Sequence, residues 1–424
     1  MHSEILAAIA IFVLFFGAFS RRIERSVITP PMAYVLYGLL LSSLMFGITR
    51  DVSLSNDMIQ ILAESTLTVV LFTDASRIQV KQLRESYKIP LRLLGLGLPI
   101  SIILGTLLGL LLFPTELNVW EAAALSTILA PTDAALGQAV VNSRQVPSFI
   151  RQAINVESGL NDGICLPFLL LFLSLAEEST GATDAAYWLT FSAQQVLFGV
   201  GVGVAVGYLA SQLISKSVGR KWISESFERL SVLGIAFLAY TGATLLGGNG
   251  FIAAFCAGLV SGNVTSDAVK ETLYAFGEAE GQLLTLVTFL LFGAVMVMPA
   301  LEGATVQVWL YAVGSLTVVR LVSVGLATVG ARLQGVSVLF VGWFGPRGIA
   351  SIVYGLLILE EKGLAGGGVL FDVMAVTVLV SVFAHGLSAY PGASWYGRKI
   401  GDCGEGMVEM RPVAELPVRL PWRA

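Results

Sequence analysis

The chain has 424 residues, of which 55% are hydrophobic and 13% are charged, and its formal net charge is −4. With a mean hydropathy of +0.80, this composition excludes an ordinary water-soluble globular protein and is typical of a polytopic membrane protein. Because the apolar runs are much longer than the roughly ten residues of a barrel strand and show no period of two, the predicted class is all-α.

Thirteen apolar spans are predicted in chain order. They cover residues 4–19, 30–48, 59–77, 91–113, 119–141, 151–176, 187–214, 230–247, 249–263, 281–300, 307–330, 335–359 and 369–390. Residues 1–390 therefore form a transmembrane domain, and residues 391–424 form a short tail. That tail is too short for a nucleotide-binding domain and is predicted to be disordered, with attachment to the membrane surface as the alternative.

Two of these spans are interrupted near their middle. The fifth span breaks at Ala130-Pro131-Thr132-Asp133-Ala134, and the twelfth breaks at Gly342-Trp343-Phe344-Gly345-Pro346-Arg347-Gly348. If spans one to six and eight to thirteen are two halves, the broken spans correspond, and the odd offset of seven inverts one half relative to the other. The pattern predicts two inverted repeats of six spans with crossed discontinuous helices, as in many secondary transporters.

The basic residues predict the orientation. With the N-terminus outside and the C-terminus in the cytoplasm, 21 of the 25 Lys and Arg residues lie on the cytoplasmic side. Arg50 and Lys362 face outside, and Arg320 and Arg347 fall within spans. This bias follows the positive-inside rule and predicts a multi-pass protein of the plasma (inner) membrane.

The sixth span carries the most informative residues, in the segment Asn155-Val156-Glu157-Ser158-Gly159-Leu160-Asn161-Asp162. An ionised carboxylate at mid-bilayer depth costs roughly 2.5–3.5 kcal/mol on insertion scales, so it usually faces a wet cavity or a partner. Helical spacing places Ser158, Asn161 and Asp162 on one face, with Glu157 adjoining. Such oxygen ligands suit a hard cation, whereas a transition metal normally requires His or Cys, and the only histidines are His2 and His385.

Further oxygen donors are expected close to this face. Thr132 lies in the break of the fifth span, and Asp74 lies towards the cytoplasmic end of the third span. A solvated pairing of Asp74 with Arg77 is the structural alternative. Glu64 is a second acid in the same span whose role the sequence leaves open.

Each break also carries a charge. Asp133 stands where a second half-helix would start, so it is predicted to cap that half-helix and to neutralise its positive end. Arg347 needs a partner at membrane depth. Glu157 and the carbonyl end of a half-helix are its candidate partners. The alternative is that Pro131 and Pro346 are ordinary helix kinks.

These motifs, taken together and in this order, resemble those of the monovalent cation/proton antiporters of the NhaP type, the sodium/proton exchangers. The resemblance rests on Ala130-Pro131-Thr132-Asp133, on Glu157-Ser158-Gly159-Leu160-Asn161-Asp162-Gly163 and on Gly345-Pro346-Arg347-Gly348. It implies a homodimer, with an ion-carrying core formed by residues 91–176 and 307–390. Residues 4–77 and 187–300 would form the dimerisation scaffold.

The resemblance also implies roles for particular residues. The acid that matches Asp162 carries a cation or a proton by turns, and Asn161 beside it implies an electroneutral one-for-one exchanger. The matches to Ser158, Thr132 and Asp74 imply cation ligands, although related transporters often have Glu at the position of Asp74. Glu157 and Arg347 would form a structural ion pair.

Independently of the family, one carboxylate that must be neutral to cross the membrane can carry H⁺ or Na⁺ (or Li⁺ or K⁺) but not both, which couples the two fluxes. The predicted partners are these ions, membrane lipid and a second copy of the chain. No cofactor, enzymatic activity or nucleic-acid binding is expected. The rival functions are a sodium-coupled symporter of an organic solute, a channel, and a K⁺/H⁺ exchanger that uses the same site. An intramembrane aspartate-pair enzyme built on Asp133 and Asp162 is the least favoured interpretation.

Overall fold

A computed structural model describes residues 2–23, 28–42, 56–81, 87–178, 185–360, 364, 366–401, 407–411 and 413. The secondary structure of these residues is helical, with no strand among them. Residues 43–48 of the predicted second span and half of the predicted tail, including residues 414–424, lie outside the described residues.

We label the helices as follows: α1 His2–Ile23, α2 Pro30–Leu41, α3 Asn56–Ser76, α4 Lys88–Leu112, α5 Val119–Ile128, α6 Ala134–Val141, α7 Ser148–Glu178, α8 Ala185–Gly219, α9 Glu225–Leu245, α10 Gly250–Val264, α11 residues 267–303, α12 Val306–Ala327, α13 Gly335–Trp343, α14 Ile349–Glu360 and α15 Gly367–Gly401. Each predicted span overlaps one of these helices, except that the fifth overlaps α5 and α6 and the twelfth overlaps α13 and α14. The last helix continues to Gly401, so the tail begins later than residue 391.

Six of the described helices are long and apolar enough to cross a membrane: α4, α7, α8, α11, α12 and α15. Shorter apolar helices lie within α1, α2, α5 and α10. The half-helix α5 is short because Pro131, which has no backbone N–H, stands in the linker that ends this segment. The protein is therefore a helical membrane protein with several apolar helices.

The helices pack in two groups. Helices α2, α3 and α8–α11 pack mainly on one another, and so do α4–α7 and α12–α15. Helix α1 joins the first group through Phe12 and Phe16, which lie against Tyr34 of α2. Helices α7 and α14 both touch α3, and α7 also touches α8, so they join the groups. Within the first group, α3 and α10 approach closely because Gly258 and Gly262 of α10 lie against the backbone of Phe72 and Ser76, where a Cβ atom would overlap.

Among the described helices, three contain a π-bulge, at Leu93–Gly97 in α4, Phe292–Met296 in α11 and Ser315–Val319 in α12. A π-bulge adds a residue to one turn and so changes the direction in which the following side chains point. The bulge in α12 directly precedes Arg320, a charged residue in the interior of the second group.

Candidate ion-binding site

The break between α5 and α6 contacts the break between α13 and α14. The backbone N–H of Asp133 donates to the carbonyl of Pro346 over 2.7 Å, and the Ser351 hydroxyl donates to the carbonyl of Ile128 over 2.7 Å. Four half-helix ends thus meet in one buried layer. Their unsatisfied backbone groups and partial charges must be compensated there, because lipid offers no hydrogen-bonding partner.

Asp133 caps two half-helices at once. Its Oδ1 accepts from the backbone N–H groups of Ala135 (2.6 Å) and Leu136 (3.1 Å) at the start of α6, and its Oδ2 accepts from Ile349 N–H (2.8 Å) at the start of α14. One negative charge therefore faces two positive helix ends. Gly348 makes this possible, since a Cβ atom at that position would overlap the Asp133 Oδ2 atom.

Arg347 compensates the opposite ends. Its buried guanidinium donates from Nη1 to the carbonyls of Pro131 (3.3 Å) and Gly345 (3.0 Å), one in each break. Its backbone N–H donates to the Ser381 hydroxyl of α15 over 2.6 Å. The carbonyl end of a half-helix, one of the two partners considered from the sequence, is where this arginine binds.

The predicted ion pair between Glu157 and Arg347 is wrong. Glu157 instead forms a bidentate pair with Arg320 of α12, with Nη1–Oε1 and Nη2–Oε2 distances of 2.6 and 2.8 Å, and both side chains are buried. Arg320 follows the π-bulge of α12, and Gly345 leaves room for its guanidinium group, because a Cβ there would collide with it. The sequence offered a signal for this partner, since Arg320 is a mid-span charge just as Arg347 is.

The predicted oxygen ligands on α5–α6 and α7 come together. Thr132 Oγ1 lies 3.0 Å from Ser158 Oγ and accepts a hydrogen bond from Asn161 Nδ2 over 2.6 Å. All three side chains are buried. The remaining amide oxygen, Asn161 Oδ1, is buried and accepts no hydrogen bond from the described residues. The cluster therefore presents hydroxyl and amide oxygens of the type that a hard cation binds.

Asp162 is the next residue on this face of α7, and its side chain is partly buried. Its backbone carbonyl accepts a hydrogen bond from the Tyr354 hydroxyl of α14 over 2.8 Å. The side-chain hydrogen bonds of Arg320 and Arg347 go to Glu157 and to backbone carbonyls. Neither arginine of this layer is therefore bound to the acid beside the oxygen cluster.

Asp74 lies on α3 where that helix meets α7. An added Cβ at Gly159, the neighbour of Ser158, would lie 4.0 Å from the Asp74 carbonyl oxygen, and the Asp74 side chain is partly buried. Arg77 is buried, donates from Nη2 to the Tyr274 carbonyl over 3.2 Å and lies against that tyrosine ring. Arg77 is thus buried and not solvated, and the choice between a ligand role for Asp74 and its pairing with Arg77 stays a prediction.

Two other polar residues have surroundings that the sequence did not predict. Glu64 Oε2 accepts a hydrogen bond from the Tyr240 hydroxyl of α9 over 3.0 Å, so this acid is engaged within the first helix group. His385 lies beside the second break, with Nε2 2.8 Å from the Trp343 carbonyl and Nδ1 3.1 Å from Ser381 Oγ. A neutral imidazole protonated at Nε2 satisfies both contacts and caps the carbonyl end of α13.

Two broken helices that meet beside a partly buried acid and a cluster of buried hydroxyl and amide oxygens are typical of secondary transporters. Residues 8–395 match the family described as "Sodium/hydrogen exchanger, transmembrane". The chain belongs to this family. The resemblance seen in the motifs of the sequence is thereby confirmed.

Curated relatives support the same assignment. The chain is similar to the K(+)/H(+) antiporter NhaP of Alkalimonas amylolytica, with 25% identity over 92% of this chain and 67% of the relative. It is also similar to the K(+)/H(+) antiporter NhaP2 of Shewanella sp. (strain MR-4), with 22% identity over 77% of this chain and 56% of the relative. The chain thus spans about two thirds of the first relative's length and little more than half of the second's.

The fold is shared with a solved structure, that of the sodium proton antiporter MjNhaP1 from Methanocaldococcus jannaschii at pH 8. The two superpose with a TM-score of 0.75 at 20% sequence identity, over 93% of this chain and 99% of the other. This similarity shows the fold.

Proposed function

We propose that the protein is a secondary antiporter that exchanges a monovalent cation for a proton by competitive binding at Asp162. The observation that carries the proposal is the oxygen cluster of Thr132, Ser158 and Asn161 next to this partly buried acid. Membership of the sodium/hydrogen exchanger family and the antiporter relatives support the same activity.

The arrangement of the surrounding charges favours a single carboxylate that exchanges its bound ion. Glu157 and Arg320 cancel each other, while Asp133 and Arg347 are held by the helix ends that they compensate. We therefore assign the exchangeable charge to Asp162. When it is occupied by a proton or by a cation it is neutral, whereas an empty, charged Asp162 incurs a desolvation penalty on moving through the barrier. This difference couples the two fluxes and suppresses leakage.

Asn161 Oδ1, Ser158 and Thr132 are proposed as the neutral ligands that complete the cation shell, with Asp74 from α3 as the ligand on the opposite side. Because Asn161 is neutral, only one charge of the site varies. We therefore propose one-for-one, electroneutral exchange.

The architecture that we propose for this mechanism has thirteen crossings in two inverted repeats, with the broken spans crossed, the N-terminus outside and the C-terminus in the cytoplasm. The contacts between the two breaks support the crossing, and the π-bulges of α4 and α12, which correspond in the two halves, support the repeat. Helices α4–α7 and α12–α15 would form the moving core, and the others the scaffold of a homodimer in the plasma membrane.

Which cation is exchanged is a separate question. The two relatives are named for K⁺ exchange, whereas the antiporter that shares the fold is named for sodium. A K⁺/H⁺ exchanger that uses the same site is therefore the second candidate.

The test uses everted membrane vesicles that are acid-loaded inside. Adding Na⁺, Li⁺ or K⁺ should dissipate the pH gradient without any organic solute, and the ion that acts at the lowest concentration identifies the substrate. Asp162→Asn should abolish this response at equal protein level, whereas Asp267→Asn, which changes an exposed acid paired with Lys270, should not.

Cation-dependent proton flux that survives in Asp162→Asn proteoliposomes would contradict the proposal. A response that requires an organic solute would indicate a symporter instead. A rate of Na⁺ exchange that depends on an imposed membrane potential would contradict electroneutrality.

A further inference from the structure

The chain beyond α15 returns to the helix bundle. Residues 407–411, which we call the tail segment, contain a short 3₁₀ turn, Val408–Met410, that packs on α7. Its central residue, Glu409, is 0% exposed. The disorder predicted for the tail is therefore wrong for these residues. Burial of a carboxylate is costly unless donors compensate it, so this contact must be specific.

The donors that compensate Glu409 belong to the start of α13. Its Oε1 accepts from the backbone N–H of Gln334 over 2.6 Å and from the Ser337 hydroxyl over 2.8 Å, and Ser337 in turn lies 2.9 Å from the Tyr396 hydroxyl of α15. Glu409 Oε2 has no donor among the described residues. The hydrogen bonds of this carboxylate are therefore concentrated on a single helix end.

This helix end lacks a cap of its own. Gln334 is the N-cap residue of α13, and its side chain makes no capping hydrogen bond. The first N–H groups of a helix are unsatisfied and carry the positive end of its dipole, and a carboxylate compensates both. Glu409 supplies that carboxylate from a segment more than seventy residues later in the chain.

The position of the start of α13 affects the candidate ion site, because α13 has only nine residues. Its far end, Trp343, leads into the break whose Gly345, Arg347 and Ile349 contact Arg320, Pro131 and Asp133. The tail segment also packs through Met407 on the apolar cluster that contains Ile150, Phe340 and Tyr396. All these residues belong to the helix group that contains the breaks.

From these contacts we infer that Glu409 is a positioning residue of the exchanger: it caps α13 from the tail and so fixes the half-helix that carries the second break. The inference rests on the proposed function for its effect on transport. The capping itself stands on geometry alone.

The experiment combines hydrogen–deuterium exchange with transport by the full-length protein. In Glu409→Ala, peptides that cover residues 332–343 should exchange at least about tenfold faster, because the charged acceptor of the partly buried Gln334 N–H is lost. Glu409→Gln keeps an oxygen acceptor and should show a smaller effect. Met410→Ala is the matched control, since this neighbouring side chain is 37% exposed, and it should behave as the wild type.

The transport measurement distinguishes a residue that positions α13 from one that only attaches the tail segment. In the monodisperse, folded fraction of Glu409→Ala, the apparent KM for the cation should rise about fivefold, a change of the size of one lost helix cap. If Glu409→Ala fails to fold, Ser337→Ala tests the same contact with the tail intact. This variant should raise both the hydrogen–deuterium exchange rate of residues 332–343 and the apparent KM about twofold.

Unchanged protection of residues 332–343 in Glu409→Ala would overturn the inference. So would faster exchange with a wild-type KM and turnover per folded protein, because Glu409 would then only attach the tail. Asp162→Asn separates this failure from failure of the proposed function: it should lose transport and keep wild-type protection at α13.

Discussion

The two broken spans are alike in topology and different in chemistry. The linker between α5 and α6 supplies an acid, Asp133, and a hydroxyl, Thr132, whereas the linker between α13 and α14 supplies a cation, Arg347, and two glycines that admit neighbouring side chains. Each linker compensates the helix ends of both breaks. The breaks are therefore complementary parts of one site, and neither could be placed correctly without the other.

Their outer ends differ as well. α5 is capped from its own sequence by a capping box of Asn118 and Glu121, and Glu121 also accepts from the Gly366 N–H in the segment before α15. α13 has no such box and is capped by Glu409. In both cases a buried carboxylate joins a broken span to a later part of the chain. Glu121 belongs to α5 itself, whereas Glu409 comes from the tail segment.

The largest effect is expected from the buried ion pair behind the breaks. Removing one partner leaves an uncompensated charge, so Glu157→Gln should lower the free energy of unfolding by roughly 3–5 kcal/mol. A double-mutant cycle measured by thermal unfolding in detergent should give strong coupling between Glu157 and Arg320. The same cycle with Arg347 should give clearly weaker coupling, because the hydrogen bonds of Glu157 go to Arg320, and the opposite pattern would show that the two arginines have been assigned the wrong roles.

A smaller but still severe effect is expected where the linkers touch. Gly348→Ala forces a methyl group into the position of Asp133 Oδ2, so both caps made by that carboxylate should be disturbed, at a cost of roughly 3 kcal/mol. Vesicle exchange should be lost. Gly137→Ala is the control, because a Cβ there meets no atom within 4 Å, and it should retain exchange. Equal activity of the two variants would contradict the shared cap.

The chemical asymmetry of the linkers can be tested at Thr132. Thr132→Val keeps the shape but removes the hydroxyl that contacts Ser158 and Asn161, so the apparent affinity for the cation should weaken about tenfold, an effect typical of a lost buried polar contact. Thr132→Ser restores the hydroxyl and should stay near the wild type. If the two variants have the same KM, this residue is not a ligand.

The smallest effect is expected at the carbonyl ends of the first half-helices. Ser351→Ala leaves the Ile128 carbonyl without its side-chain donor and should cost about 1 kcal/mol. His385→Phe should cost more, because it removes the contact with the Trp343 carbonyl and also the partner of Ser381. Melting temperatures in one detergent compare the two, and a larger loss for Ser351→Ala would contradict this ranking.

The sequence predicts much of this arrangement, because the length of the apolar runs predicts the helices. The breaks are visible as interruptions that contain Pro, Gly and charged residues. The spacing of Ser158, Asn161 and Asp162 likewise predicts a common face. The partner of Glu157 could not be predicted in the same way. Two mid-span arginines were available, and the choice between them depends on helix packing and on the π-bulge before Arg320.

The role of Glu409 was also inaccessible to sequence reasoning. The segment Met407-Val408-Glu409-Met410 is too short to show a period, and the helix end that it caps lies more than seventy residues earlier in the chain. Only the fold brings the two together. Contacts of this kind are determined by tertiary packing and leave no local pattern.

The proposed mechanism has Asp162 carry either a proton or a cation, and the pH dependence of the apparent KM for the cation tests this most directly. In proteoliposomes of the wild-type protein, the apparent KM should rise about tenfold per pH unit on the acid side while the maximal rate at saturating cation stays nearly constant, as expected when two ligands compete for one site. An apparent KM that does not change with pH, together with a falling maximal rate, would contradict competition at a single carboxylate.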